Sequence, residues 1–202
     1  VAEVFAIKSK KDISTVETFI LKHYGTDIAE GFKLGLNFAL RIVDLRYLTI
    51  EDCVEALEYG YLEVIERKTG WRMNTDTGLR ERTKKRPRRI KINNAARRIL
   101  IARIKERPND TYLFQSHAKN ISKIQPISDT VFRTALREAG KTIGVKLGTH
   151  SCRKTRGYMM HLAGIPIEVI CKMFGHGHPS ITMRYIGLEQ ESIDVTYEDI
   201  EL

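Results

Sequence analysis

The sequence predicts a mostly helical α+β protein carrying one small antiparallel β-sheet. Three observations predict it. Apolar residues recur at helical spacing along most of the 202 residues, and only three short runs read as extended. With 42% hydrophobic and 29% charged residues, the chain holds enough apolar material for a core. That balance excludes wholesale disorder.

The elements follow in order. Ser14-Thr15-Val16-Glu17 has capping-box spacing ahead of Phe19-Ile20-Leu21, so a helix is expected there, stopping near Gly25. Residues 27–40 carry Ile28, Phe32, Leu34 and Phe38 at helical spacing, and 41–45 continue or restart that helix. Residues 53–57 and 61–65 read as a strand pair turned at Glu58-Tyr59-Gly60, and 88–92 as a third strand. Between them, residues 69–87 show turn formers and no apolar period, predicting a long exposed loop. Helices are expected again over 94–105, 128–140 (with Val131, Leu136 and Ala139 inward), 150–162, 166–174 and 179–185. The last three are split by Gly164, Gly175 and Gly177. Met159, Met160 and Leu162 are expected in the core.

Composition narrows the function. Thirty-four Lys and Arg stand against 25 Asp and Glu, for a formal charge of +9. This favours a polyanionic partner, above all nucleic acid. Residues 80–98 hold ten cations, among them Arg80, Arg82, Lys84, Lys85, Arg86, Arg88 and Arg89, against the single acid Glu81. Such a surface binds phosphates with steep salt dependence; the alternative is a solvated charge run. Residues 189–202 are acidic. No apolar stretch is long enough for a membrane span, and no signal peptide is evident. Cys53, Cys152 and Cys171 are odd in number and scattered, which argues against a disulfide framework and for a cytoplasmic setting.

The last third concentrates the chemistry. His150 and Arg153, three apart on a helix, share a face and can grip one oxyanion. Phe174-Gly175-His176 marks a helix end, and Tyr185 follows nine residues later. A phenol is a weak nucleophile at its free pKa near 10, and neighbouring cations favour the phenolate. The alternative for Tyr185 is an aromatic packed on the core. Lys154 and Arg156 either touch DNA backbone or face solvent. Cys152 is either a reactive thiol or a small buried filler. His176-Gly177-His178 is thin evidence for a metal, and His178 also suits a helix cap.

The series Arg41, Lys68 (in Glu66-Arg67-Lys68-Thr69), His150-x-x-Arg153, Gly175-His176 and Tyr185 resembles the tyrosine recombinase, or phage integrase, catalytic domain. The intervals are 27, 82, 3, 23 and 9, the second enlarged relative to the family pattern, and the likeness spans residues 14–187. The resemblance implies that fold over residues 1–188, with 69–87 an enlarged basic loop and 189–202 a tail. It implies a site-specific recombinase or integrase working on double-stranded DNA without metal, ATP or other cofactor. Arg41 and Arg153 would hold the scissile phosphate, with His176 donating to it. His150 would take the Tyr185 proton or hydrogen-bond the phosphate, and Lys68 would protonate the leaving 5′ oxygen. Lys84 and Lys85 are rivals for that last role. Tyr185 would form a 3′-phosphotyrosyl link, and strand exchange would pass through a Holliday junction in a homotetramer, with accessory DNA-bending proteins as further partners. Asp44, three after Arg41 on the same helix face, would either orient it or form only a surface pair with it. Residues 1–13 are too short for the family's N-terminal core-binding domain, so either it was removed or this is a minimal member. Two other readings stay open: a type IB topoisomerase or telomere resolvase, and a basic DNA-binding module without chemistry.

Overall fold

Ser9, rather than Ser14, begins the first helix. Its hydroxyl accepts the Asp12 N–H at 3.0 Å, capping α1 (Lys10–Tyr24). Ser14 lies inside that helix, which buries Val16 and Ile20, four apart on one face. Helix α2 (Thr26–Phe38) follows after Gly25 and ends on Ala39, whose φ of 50° is left-handed. A non-glycine residue there costs about 1 kcal/mol, and the Ala39 N–H bonds back to Gly35 O at 3.0 Å.

The computed structural model describes residues 3–67, 71–73, 77–78, 80–82, 87–119 and 122–188; for 71–73 and 80–82 only the backbone is described. Its chain forms two compact units, residues 1–39 with 133–202, and residues 40–132.

The second unit opens with α3 (Ile42–Arg46) and α4 (Ile50–Tyr59). Residues 53–57, expected as a strand, lie inside α4. The reason is a reciprocal capping box: Asp52 N–H donates to Thr49 Oγ1 and Thr49 N–H to Asp52 Oδ2, both at 3.0 Å. Ile50, Cys53 and Ala56 then fall on one buried face. Gly60, at φ 74°, supplies the left-handed turn that stops the helix. Thr49→Ala removes one arm of the box and is expected to cost about 1 kcal/mol, read as a lower urea midpoint at unchanged m-value.

Strand β1 (Tyr61–Val64) therefore pairs elsewhere. Its neighbour is β4 (Arg88–Lys91), antiparallel, with Leu62 opposite Ile90 and Val64 opposite Arg88. Leu62, Val64 and Ile90 are buried while Glu63 and Arg89 face out, the period-2 alternation of a half-buried ribbon. The stretch 69–87, read as loop, contains a second antiparallel pair, β2 (Trp71–Met73) with β3 (Arg80–Arg82). Helix α5 (Asn94–Glu106), capped by Asn93, closes this part and buries Arg103, whose Nε donates to Leu113 O at 2.9 Å.

Helix α6 (Asp129–Lys141) contains the junction between the units. Phe132, Ala135, Leu136 and Ala139 are buried, whereas Val131 is exposed. Three short helices complete the first unit: α7 (Ser151–Leu162), α8 (Ile167–Phe174) and α9 (Pro179–Ile186). They share a core with Ala6 and Ala39 built on Tyr158, Ile170, Phe174, Ile186 and Leu188. Gly157 permits their close approach, since a Cβ there would meet Phe174 at 2.7 Å and Ile186 at 2.8 Å. Met159 and Met160 pack against this core, but Leu162 points outward at 59% exposure. The N-terminal segment is tied to α7 and the turn before it, by Ile7 N–H to Thr155 Oγ1 (2.8 Å) and Phe5 N–H to Lys146 O (3.0 Å).

Candidate active site

The first unit carries His150 and Arg153 at the start of α7, His176 just after α8 and Tyr185 on α9. His150 is the N-cap residue of α7, with Nδ1 3.4 Å from Thr149 Oγ1. Arg153 lies one turn later and is only 1% exposed. Its Nη1 donates to Ala39 O at 2.9 Å and its Nη2 to Phe174 O at 2.8 Å. Both acceptors are at helix C-terminal ends, where the peptide dipoles concentrate negative potential. The guanidinium also lies 4.8 Å from the Phe174 ring centroid. Burial of so polar a group is tolerated because the fork is held from two directions.

Gly175, at φ 68°, ends α8 and turns the chain so that His176 comes beside α9. His176 Nδ1 is 2.9 Å from the hydroxyl of Thr182, itself fully buried, which fixes the ring. Tyr185, in the last turn of α9, is half-buried. Its ring meets His176 edge-on at 5.1 Å and Phe174 at 5.4 Å, and Lys154 Nζ sits 5.2 Å from its centroid. Tyr185 is thus packed at the margin of the core rather than inside it. Cys152 is fully buried, and desolvation pushes its thiol up to about 12. At neutral pH it is a protonated apolar filler.

Within the second unit, Arg41 is the N-cap residue of α3, not a member of a helix face shared with Asp44. That corrects the expected face-sharing. Asp44 is buried, and its Oδ1 accepts the Arg67 N–H at 2.7 Å. It thereby pins the backbone at Arg67, just past the end of β1. The carboxylate paired with Arg41 is Glu66, through Nη1 and Oε2. Glu66 Oε1 also takes Arg88 Nη1 at 3.3 Å. Glu66 is absent from the residues that the sequence singles out. Its only signal was an acid directly ahead of Arg67-Lys68.

Of the expected DNA-contacting residues, Arg88 is committed to Glu66, and the Arg89 guanidinium stacks 3.6 Å from the Tyr61 ring centroid. Arg80 and Arg82 lie on β3, described by its backbone. Lys68, Lys84, Lys85, Arg86 and the acidic tail lie outside the described residues. Lys154 is 12% exposed at its side chain. His178 caps α9, accepting the Ser180 N–H at 3.2 Å. Among the described residues no group of three or more His, Cys, Asp and Glu is placed to hold a metal ion. No described helix is long and apolar enough to cross a membrane.

Residues 13–192 match the phage integrase family. The probable integrase/recombinase YoeC of Bacillus subtilis (strain 168) is 30% identical over 193 residues, covering 95% of this chain and 94% of that protein. Tyrosine recombinase XerA of Pyrococcus furiosus is 34% identical over 167 residues, 81% of this chain; the match spans about half of XerA, 51%. Among solved structures, a XerA recombinase superposes with a TM-score of 0.66 at 16% identity, covering 98% of this chain and 65% of that one. The Tn1549 transposon integrase in complex with transposon right end DNA gives 0.66 at 16% identity, over 98% of this chain and 67% of that one. The structural likenesses establish the fold as that of a tyrosine recombinase catalytic domain. The match over residues 13–192 and the near full-length relative establish the lineage: the chain belongs to the phage integrase family, the tyrosine recombinases.

Proposed function

We propose that this chain breaks and rejoins double-stranded DNA at a specific site, with Tyr185 as the nucleophile. The Tyr185 oxygen attacks the scissile phosphorus; the new P–O bond forms as the bond to the 5′ oxygen breaks. The phenolic proton passes to His150, and Lys68 supplies a proton to the departing 5′ oxygen. Arg41, Arg153 and His176 bind the non-bridging oxygens and offset the charge that grows in the transition state, where one well-placed donor is worth roughly 10²–10³ in rate. The phosphotyrosyl bond conserves the phosphodiester energy, so the reaction needs neither ATP nor metal. Religation to a partner strand, within a tetramer and through a Holliday junction, completes recombination. Arg80, Arg82, Lys84, Lys85, Arg86 and Arg89 serve the DNA backbone.

The observation that carries this reading is Tyr185 itself. It is half-buried at a helix end, with the His176 ring and the Lys154 ammonium against it and the Arg153 fork anchored in the same unit. The test uses nicked suicide duplexes cut from the DNA flanking the gene, incubated with the chain in EDTA and run on a denaturing gel. The expected result is a covalent adduct whose tryptic peptide contains Tyr185. Salt-sensitive binding with no adduct on any flanking duplex would instead make the chain a DNA-binding module.

A further inference from the structure

Lys154 follows Arg153 on α7, in a chain rich in surface lysines, yet its side chain is only 12% exposed. Its ammonium sits 5.2 Å from the centroid of the Tyr185 ring. Its ammonium also lies 3.8 Å from the carboxylate of Glu3, on a side chain that is 69% exposed. We propose that Lys154 is a positioning residue for the nucleophile, holding the Tyr185 ring and favouring its phenolate over its phenol. The inference rests on the reading of Tyr185 as the attacking group.

The physical case is a difference between two states of one ring. An ammonium near a neutral phenol gains a modest attraction to the ring's quadrupole. The same ammonium near a phenolate gains a full charge–charge attraction, strengthened where water is excluded. The difference appears as a lower acid midpoint for the tyrosine. Glu3 opposes the effect weakly, because it stands largely in solvent. Burial, the larger cause, pulls Lys154 below the ordinary 10.5, while Glu3 pushes it back. The stabilisation is therefore present while the ammonium holds its proton and fades as pH rises through that lowered midpoint.

Other charged groups stand on the described elements around Tyr185. His176 stands edge-on to the ring, and Arg153 lies across Phe174. Glu168 and Lys172 of α8, His161 of α7 and Arg184 of α9 are exposed. Lys8, on the N-terminal segment, lies over Tyr158, 5.4 Å from that ring's centroid.

The test titrates the intact chain labelled with ¹³Cζ-tyrosine, free of DNA, and assigns the Tyr185 signal with Tyr185→Phe. In the wild type Tyr185 is expected to titrate below the ordinary value near 10. Lys154→Met is expected to raise its midpoint by about one unit, a tenfold loss of phenolate at a given pH, and Lys154→Arg to restore it. A wild-type midpoint at or above 10 overturns the proposal whatever the variants do. So does an unchanged midpoint in a folded Lys154→Met protein. Because no DNA is present, either result leaves the recombinase reading standing, and a failed adduct assay leaves the titration result standing.

Discussion

Tyr185→Phe is expected to yield a folded protein that binds DNA with the wild-type salt dependence and forms no covalent adduct. The substitution keeps the ring, and with it the edge-on contacts to His176 and Phe174 and the position under Lys154. What leaves is one oxygen at the margin of the core. Stability should therefore fall by no more than about 1.5 kcal/mol. The slope of affinity against salt depends on how many phosphates the basic surface neutralises, so it should not change. Adduct formation should fall on the order of 10⁴-fold or more, the scale of losing a covalent nucleophile. The gel assay and a salt-dependent binding titration read the two effects separately. Residual adduct at a tenth of the wild-type yield would assign the nucleophile to another residue. Two buried thiols share the unit with Tyr185: desolvation keeps that of Cys152 protonated at neutral pH, and Cys171 Sγ donates to His176 O at 3.3 Å.

Much of this arrangement was readable along the chain because it is locally encoded. The 3.6-residue spacing of Val16 and Ile20, or of Ile170 and Phe174, is a property of neighbours in sequence. The order of Arg41, His150, Arg153, His176 and Tyr185 is likewise linear information. Residues 53–57 were misread because a short apolar run fits a strand and a buried helix face equally well. The Thr49–Asp52 box decides between them, and it lies outside the run. The start of α1 differs from the Ser14 expectation because Ser9 also has a capping hydroxyl, and that one accepts the Asp12 N–H. Pairing across long separations was not legible at all. Glu66 meets Arg41 from 25 residues away, and Arg153 meets the Ala39 carbonyl from 114. Lys154 reads from sequence as either a DNA-backbone contact or a solvent-facing cation, because its neighbours Tyr185 and Glu3 are far from it along the chain.

Arg153→Ala is expected to damage folding and chemistry together, and Arg153→Lys to separate them. The guanidinium is the shared partner of two buried carbonyls, Ala39 O and Phe174 O, at the ends of α2 and α8. Truncation removes the Arg153 donor from both carbonyls, at about 1–3 kcal/mol, and opens a cavity beside the Phe174 ring. A loss of roughly 3–5 kcal/mol in urea unfolding follows. The same loss would release Ala39 from a left-handed conformation that is itself unfavourable. Lysine keeps the charge and reaches one carbonyl, but it has no planar fork to bridge two. Arg153→Lys should therefore recover more than half of the lost stability while adduct formation stays about 10²–10³ below the wild type. An Arg153→Ala protein as stable as the wild type would show that the two carbonyls find other donors. An Arg153→Lys protein with full activity would show that a bidentate donor is not what the phosphate requires. The first result removes the structural role and the second the chemical one, so the pair of variants reports on both roles of a single buried side chain.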